Sequence, residues 1–313
     1  MSTDNTQQNL LEDLVKEKRR DRRWKTLRFF FGFILFFIYA SILIFALVPH
    51  DETLANPSKP YVSLLKLNGE IMPGSEFSAD LVVAELNKAF ADKASRGVVL
   101  LINSPGGSPV QAAIIHDKIL ELKKQYHKPV AVVAEDMLAS GAYLVAVAAD
   151  KIYVNKDTIT GSIGVIMNGF GMDDAIKKIG INRRVFTAGT NKDRLDPFKP
   201  LRPQDITKVK TLLTSVHKDF IDYVKSGRGN KLALNNPDLF SGDFWTGEQA
   251  VKLGLADGTE NLWVVLQKEF GADQYKDFSV KPTLLAHFMK GIRGELNFHL
   301  LGNPVPVRDE LQL

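Results

Sequence analysis

The sequence predicts an α/β fold in which helices surround a largely parallel sheet, preceded by one transmembrane helix. Apolar runs of strand length alternate with helical patterns from residue 61 onward, and this alternation is typical of βαβ units. Residues 97–102 and 130–134 are almost continuously apolar, like strands buried on both faces of a parallel sheet. Residues 29–48 form a run of 20 without a charged side chain, which is long enough to cross a bilayer as a helix.

The charges on either side of this run predict its orientation. Residues 1–28 hold eight Lys or Arg and five Asp or Glu, whereas Asp51 and Glu52 follow the run. By the positive-inside rule the N-terminus lies in the cytoplasm, and the rest of the chain after the run lies outside it. The run is long for the apolar core of a signal peptide and no A-x-A site follows, so we interpret it as an uncleaved anchor. A cleaved signal sequence is the alternative, and it would export the same domain.

We therefore divide the chain into five parts. They are a basic cytoplasmic tail (1–28), a transmembrane helix (29–48), a linker (49–60), an exported globular domain (61–282) and a C-terminal extension of unassigned role (283–313). The tail carries most of the formal net charge of +4, which leaves the body close to neutral. A basic tail on a near-neutral body favours an anionic lipid bilayer as its partner and argues against nucleic acid.

Each element of the exported domain follows from a local pattern of apolar spacing and turn residues. Strands are predicted at residues 61–67, 97–102, 130–134 and Lys151–Val154. Helices are predicted at residues 79–93, Pro109–Tyr126, 141–149, 203–226 and 245–253, the last of which begins at Thr246.

The composition excludes several kinds of chemistry. The chain has no cysteine, so disulfides, thiolate nucleophiles and cysteine-ligated metals are ruled out. Its six histidines are scattered, and none forms a pair with the spacing of a metal site such as HExxH. We therefore predict neither a metal site nor a cofactor.

A first chemical motif directly follows the strand at 97–102. Asn103, Ser104 and Pro105 lead into the pair Gly106 and Gly107, after which a helix begins. Adjacent glycines let the backbone approach a ligand and turn its N–H groups outward, next to the partial positive charge of a helix N-terminus. The motif suits an oxyanion hole, and a plain strand-to-helix turn is an equally weighted alternative.

A second motif places Ser140 after a buried strand and before a helix of small residues. A serine in this position is either a helix N-cap or a nucleophile, and taken alone the cap is the commoner case. Gly141 favours the nucleophile, because its N–H can point at the same oxygen that the serine would attack. In a third motif, residues 160–165, glycines and small side chains could direct a hydroxyl into a cavity, although this is weak evidence on its own.

A nucleophilic serine needs a base, and no histidine lies in or beside these loops. A lysine can serve if desolvation keeps its amine neutral. The loop at residues 187–194 is rich in small residues and could direct Lys192 inward. By composition alone, Lys199 is an equal candidate.

Together these segments resemble the signal peptide peptidase A family of serine–lysine membrane peptidases, in its short single-domain form. The resemblance extends from about Tyr61 to Val264 and rests on LINSPGG, AEDMLASGAYLVA, TGSIGV, TAGTNKD and FWTGEQAVKLGLAD, in this order. Each segment alone is weak, whereas the ordered set is highly specific.

The resemblance implies a role for each residue of the site. Ser140 would be the nucleophile and Lys192 its general base, since this lysine rather than the other candidate matches the family spacing. Ser162 would orient the lysine amine, and the backbone N–H groups of Gly107 and Gly141 would form the oxyanion hole. In the implied mechanism, neutral Lys192 takes the proton of Ser140 as it attacks a peptide carbonyl, and water releases the acyl-enzyme.

The resemblance also implies a crotonase/Clp-peptidase-like α/β spiral and a homo-oligomeric ring, in which neighbouring subunits can supply the Ser and the Lys of one dyad. Its substrates would be remnant signal peptides at the outer, periplasmic face of the bacterial inner membrane. Residues 307–313 could reach an active site in such a ring. Three alternatives remain: a quality-control peptidase of broader substrate range, an enzyme of acyl-CoA chemistry, and a membrane scaffold without catalytic activity.

Overall fold

The computed structural model describes residues 24–43 and 59–281, which belong to two separate compact units of the chain. Most of the predicted basic tail and linker, the end of the predicted membrane run at 44–48 and the extension at 283–313 lie outside the described residues. The suggested role of residues 307–313 stays a prediction for the same reason.

The first unit contributes one described helix, α1 (Trp24–Leu43). It has 20 residues with a mean hydropathy of 2.0, so by length and composition it could cross a membrane. The described part of the helix includes Trp24 to Arg28, which precede the predicted run at 29–48. Its large apolar side chains are exposed, which fits a helix of this length and composition in a lipid bilayer.

The second unit is built on an eight-stranded sheet. The strands are β1 (Tyr61–Asn68), β2 (Ser95–Ser104), β3 (Val130–Ala139), β4 (Lys151–Val154), β5 (Ile159–Gly161), β6 (Phe244–Trp245), β7 (Gly258–Thr259) and β8 (Gln274–Asp277). Their order is β6-β5-β3-β2-β1-β8, and β4 pairs with both β3 and β7. All these pairs are parallel except β5 with β6, which confirms the predicted α/β class with a largely parallel sheet.

Strand β3 is the branch point of the sheet. Its first half, from Ala131 to Val133, pairs with β4, and its last residues, from Met137 to Ala139, pair with β5. Because β3 and β5 run parallel and end level with each other, the residues that follow them emerge side by side. This branch therefore determines where the second and third chemical motifs meet.

The described part of the second unit contains seven α-helices, which pack on both faces of the sheet. They are α2 (Ala79–Ala91), α3 (Pro109–Tyr126), α4 (Gly141–Ala146), α5 (Asp173–Lys178), α6 (Pro203–Arg228), α7 (Gly247–Lys252) and α8 (Leu262–Phe270). The larger apolar core holds α2, α3 and α4 against one face, and the smaller core holds α8 against the other. All six residues of α4 are buried, as its small side chains allow.

The structure corrects several of the predicted boundaries. Strands β2 and β3 run past the predicted ends, and the helix predicted at 141–149 ends at Ala146. The helix predicted at 245–253 is shorter, because Trp245 belongs to β6. Thr246 is the N-cap instead, and a reciprocal pair of hydrogen bonds with Gln249 fixes the start of α7.

Candidate active site

Ser140 lies between β3 and α4 in a strained backbone conformation. Its φ of 52° and ψ of −126° are rarely adopted by a residue with a side chain, and such strain costs on the order of 1–3 kcal/mol. Its N–H donates to the Gly161 carbonyl at 2.8 Å, which extends the pairing of β3 with β5 by one residue. Although Ser140 occupies the N-cap position, its hydroxyl makes no capping hydrogen bond. The hydroxyl therefore does not cap the helix and is left available for chemistry.

The glycine loop after β2 packs directly against Ser140. Gly106 and Gly107 have φ values of 99° and 143°, in the region that favours glycine. A Cβ on Gly106 would lie 2.6 Å from the Gly141 nitrogen, and one on Gly107 would lie 2.2 Å from the carbonyl oxygen of Ile71. Side chains are therefore excluded at both positions by backbone that has no room to move.

Two backbone N–H groups at this junction have no acceptor among the described residues. The N–H of Gly141 belongs to the first residue of α4, where no carbonyl of the same helix can accept it. The N–H of Gly107 lies outside the bridge between the glycine loop and Ile71, which uses the neighbouring Gly106 carbonyl and Ser108 N–H. Both glycines line the same cavity as Ser140. Free donors beside a hydroxyl are what an oxyanion hole requires.

The cavity has a volume of about 690 Å³. Ser140 and the two glycines line one side of it, and Val165 and Ile166 line another. Helix α3 also contributes to the lining, and helix α6 contributes a band of side chains at helical spacing, among them Val216, Asp219, Phe220, Asp222 and Tyr223. The cavity lining as a whole is mainly apolar, but α6 adds two carboxylates to it.

Ser162 is the next residue after β5, as Ser140 is the next residue after β3. The hydrogen bond from the Ser140 N–H to the Gly161 carbonyl joins the two segments, so the structure brings both serines together. Ser162 has a φ of 50° and is half-buried, and its hydroxyl makes no hydrogen bond within residues 24–43 and 59–281. Its predicted role in orienting a lysine amine stays a prediction.

Lys192 is not brought to this cavity by its own chain. It is exposed, it is absent from the cavity lining, and its amine makes no hydrogen bond or ion pair with any described residue. Lys199 differs, because its amine is paired with the Asp193 carboxylate at 2.6 Å. Of the two lysines that composition left open, Lys192 is the one with an uncommitted amine.

Residues 167–201, here called the arm, carry Lys192. Every residue of the arm is exposed or half-buried. Large apolar side chains project from it, with Phe170 83% exposed and Phe186 93% exposed. Such a concentration of bare apolar surface is typical of a segment that another protein surface covers.

An ion-pair network ties the base of the arm to the start of α6. Asp205 accepts hydrogen bonds from Arg202 at 2.7 Å and from Arg194 at 2.6 Å. The hydrogen bond from Arg202, followed by that from Arg194, holds the pKa of the Asp205 carboxyl below its usual value despite its desolvation. The hydrogen bond from Lys199 likewise holds the pKa of the Asp193 carboxyl below its usual value. The loop that carries Lys192 is therefore fixed at the arm's end rather than at the cavity.

Two parts of this region were not predicted from the sequence. The first is the wall formed by α6, whose apolar positions 216, 220 and 224 repeat at helical spacing, a signal that does not reveal which side faces a cavity. The second is the contact between His217 and the Ile163 carbonyl, at 2.9 Å. Within the described parts of the chain, no group of three or more His, Asp or Glu has the arrangement of a metal site.

Comparison with known protein families agrees with this architecture. Residues 122–269 match the family model "Peptidase family S49", and residues 63–157 match the model "Clp protease". The Clp match runs from within β1 to just after β4 and contains the glycine loop, and the S49 match runs from the end of α3 into α8; both contain Ser140.

Three relatives show how far the similarity extends. A candidate protease of Synechocystis is 31% identical over 204 residues, which are 64% of this chain and 70% of that protein. A candidate signal peptide peptidase SppA of Enterococcus faecium is 30% identical over 216 residues, 66% of this chain and 62% of that protein. The protein named Na(+)/H(+) antiporter NhaA of Brucella melitensis is 44% identical over 238 residues, 74% of this chain and 32% of that protein. The chain thus spans about a third of the Brucella protein, most of which lies outside the match.

A Clp-protease-like sheet with an available serine beside free backbone donors defines a domain of the serine peptidase class. The chain belongs to peptidase family S49, the family of the signal peptide peptidase SppA relatives.

Proposed function

We propose that this protein is a membrane-anchored serine endopeptidase that degrades cleaved signal peptides at the outer face of the bacterial cytoplasmic membrane. The observation that carries the proposal is the environment of Ser140. Its backbone is strained, its hydroxyl makes no capping hydrogen bond, and the Gly107 and Gly141 N–H groups beside it have no acceptor among the described residues. Strain at a residue that no local structure needs is a mark of a functional position.

The proposed reaction uses Ser140 as nucleophile and Lys192 as general base. The neutral amine takes the hydroxyl proton while the serine oxygen bonds to the substrate carbonyl carbon. The N–H groups of Gly107 and Gly141 stabilise the resulting oxyanion. Collapse of the intermediate breaks the peptide bond, and the departing amine receives the proton from the lysine. Water, activated by the same lysine, then hydrolyses the acyl-enzyme, and Ser162 orients the amine in both steps.

We further propose that Lys192 comes from a neighbouring subunit of a ring. Its own chain leaves this lysine exposed on the arm, away from the residues that line the cavity. The bare apolar side chains of the arm support the same arrangement, because burying them against a second copy would be favourable. A monomer would then be inactive, since each site would lack its base.

The cavity supports a signal peptide as substrate. Such peptides combine an apolar core with a basic N-terminal region. The apolar wall made by Leu144, Val216 and Phe220 fits the core, and the exposed carboxylates of Asp219 and Asp222 fit a basic side chain. Neither carboxylate forms an ion pair with another described residue, so both are available to a substrate.

The proposed topology rests on α1 and on the charges that precede it. Eight Lys or Arg within residues 1–28 support a cytoplasmic tail. The proposed domain plan keeps residues 29–48 as the membrane span, 49–60 as the linker and 61–282 as the exported peptidase domain. An enzyme held in this way is confined to the plane in which apolar peptides accumulate.

Two measurements on the full chain in detergent test the proposal. A fluorophosphonate probe should label the protein, and labelling should be lost in Ser140→Ala but kept in Ser108→Ala, a serine of the neighbouring loop. A synthetic signal peptide should be cleaved faster than an unfolded soluble protein. Preference for the unfolded protein would favour the quality-control alternative, and an unlabelled Ser140 would overturn the peptidase assignment.

A further inference from the structure

The segment that follows β5 is held in a conformation that its own sequence does not favour. Ser162 has a φ of 50°, a value in the left-handed region that residues with side chains seldom adopt. Its strained backbone costs on the order of 1–3 kcal/mol and persists only where surrounding contacts determine it fully. Contacts with neighbouring residues must therefore hold Ser162 in this conformation.

Three hydrogen bonds fix this segment. The Ser162 N–H donates to the Asp243 carbonyl at 2.7 Å, and the Gly164 N–H donates to the Ser162 carbonyl at 2.9 Å. The third comes from a side chain: the Nε2 of His217 bonds the Ile163 carbonyl at 2.9 Å. A carbonyl oxygen can only accept, so Nε2 carries the proton and donates.

His217 lies on α6, whose side chains line the cavity together with Ser140. Its neighbours Val216 and Asp219 line the cavity, whereas the His217 ring is half-buried against the Ser162 segment. One side chain thus joins the substrate-facing helix to the residue beside Ser140. The contact needs no charge, because the neutral ring protonated at Nε2 and the imidazolium both donate from that atom.

We propose that His217 is a positioning residue, which holds Ser162 in the conformation that orients the catalytic lysine. This rests on the proposed function, in which Ser162 directs the Lys192 amine toward Ser140. Without the bond from His217, the Ile163 carbonyl loses its side-chain partner and the strained backbone of Ser162 can relax. The Ser162 hydroxyl then moves away from the amine, while the Gly107 and Gly141 donors and the apolar wall stay in place.

The first test compares three variants of the full-length oligomer in cleavage of a fluorogenic leucine-rich peptide. His217→Ala should lower kcat about three- to ten-fold, the range of one hydrogen bond, with KM changed by less than about two-fold. His217→Gln should recover most of kcat, since its amide N–H can reach the same carbonyl. Lys218→Ala, an exposed neighbour on the same helix, is the control and should match the wild type. A glutamine variant as impaired as the alanine variant would overturn the proposal.

The second test asks whether His217 acts through Ser162. If it does, His217→Ala should have almost no further effect on kcat in a Ser162→Ala background. Multiplicative losses in the double variant would assign His217 a general structural role and overturn the proposal. Fluorophosphonate labelling of Ser140 distinguishes this from failure of the proposed function: an unlabelled wild type overturns the peptidase itself, whereas labelling with multiplicative losses overturns only the role of His217.

Discussion

The cavity and the arm are built in opposite ways, although the proposed chemistry needs both. Around the cavity, Ser140, Ser162 and the glycine loop follow the ends of adjacent parallel strands, and backbone hydrogen bonds to neighbouring segments hold them there. Lys192 lies on the arm, where no residue is buried and two phenylalanines are almost fully exposed.

The difference teaches where each half of the site obtains its geometry. The cavity half is determined by the fold of a single chain, so Ser140 and the two glycine N–H groups that we propose as oxyanion donors are arranged within each copy. The arm half is tied to α6 at its base by the ion pairs of Asp205, and large apolar side chains such as Phe170 and Phe186 remain exposed among the described residues. Assembly would therefore complete the site by supplying the base and covering this surface together.

The largest expected effect tests whether the two regions act across subunits. Ser140→Ala and Lys192→Ala should each abolish peptide cleavage, because one lacks the nucleophile and the other the base. Co-expressing the two variants should restore cleavage in mixed rings, to about a quarter of the wild-type level if neighbours pair at random.

The matched control combines Lys192→Ala with a chain that carries both substitutions. In that mixture no subunit offers the lysine, so no activity should return. If the first mixture stays as inactive as this control, the dyad is not shared between copies, and the arm of one subunit does not supply the base to the cavity of another.

A smaller loss should follow from disturbing the cavity alone. Gly107→Ala places a methyl group 2.2 Å from the Ile71 carbonyl and displaces one oxyanion donor. Removing one such donor lowers kcat by roughly 10²–10³-fold. Gly74→Ala is the control, since its φ of +81° carries similar strain but nothing lies within 4 Å of the added Cβ. Equal activity of the two variants, with thermal melts that show both folded, would argue against the oxyanion role.

Acid should destabilise the folded domain, because it protonates the Asp257 carboxylate, which is paired with Arg228 of α6. Burial opposes the charge of Asp257, but hydrogen bonds from Arg228, Lys231 and the Ile152 N–H outweigh it and lower its pKa to about 2. A carboxyl whose pKa is lower in the folded state stabilises that state above its unfolded pKa, near 3.9. Its contribution, on the order of 2 kcal/mol, is complete near pH 5 and is lost as pH falls toward 2.

Asp257→Asn removes this titration and leaves the buried guanidinium of Arg228 without its counter-charge. At pH 7 the free energy of unfolding of the variant should be lower by about 3 kcal/mol, so it should unfold at a lower urea concentration. Between pH 5 and pH 2 the variant should lose less stability than the wild type. Urea titrations at several pH values measure both effects. Parallel losses of stability in the two proteins across that range would contradict the prediction.

The same contrast explains how far the sequence could go. Continuous apolar runs predicted β2 and β3, and the N-cap pattern predicted the start of α7, because these signals are local. The two-residue strands β6 and β7 are determined by pairing with distant segments, so no local pattern predicts them. The nucleophile role of Ser140 was predicted through a resemblance to a known family and stays a prediction, whereas the wall made by α6 depends on the way that helix packs. In the proposed ring, the position of Lys192 relative to Ser140 depends on contacts outside one chain, which a single sequence does not encode locally.

The smallest expected effect concerns the two carboxylates on the cavity wall. Asp219 and Asp222 are exposed, so solvent screens their attraction for a basic side chain, and each contributes at most about 1 kcal/mol. Asp219→Asn and Asp222→Asn should each lower kcat/KM for a leucine-rich peptide with one lysine by up to about five-fold, and less in 0.5 M salt. The same peptide with glutamine in place of lysine should be cleaved equally by all forms. Asp238→Asn removes an equally exposed carboxylate outside the cavity lining and should leave both peptides unaffected. If it slows the lysine peptide as much as the cavity variants do, the discrimination comes from net charge, and the cavity wall selects by apolar contact alone.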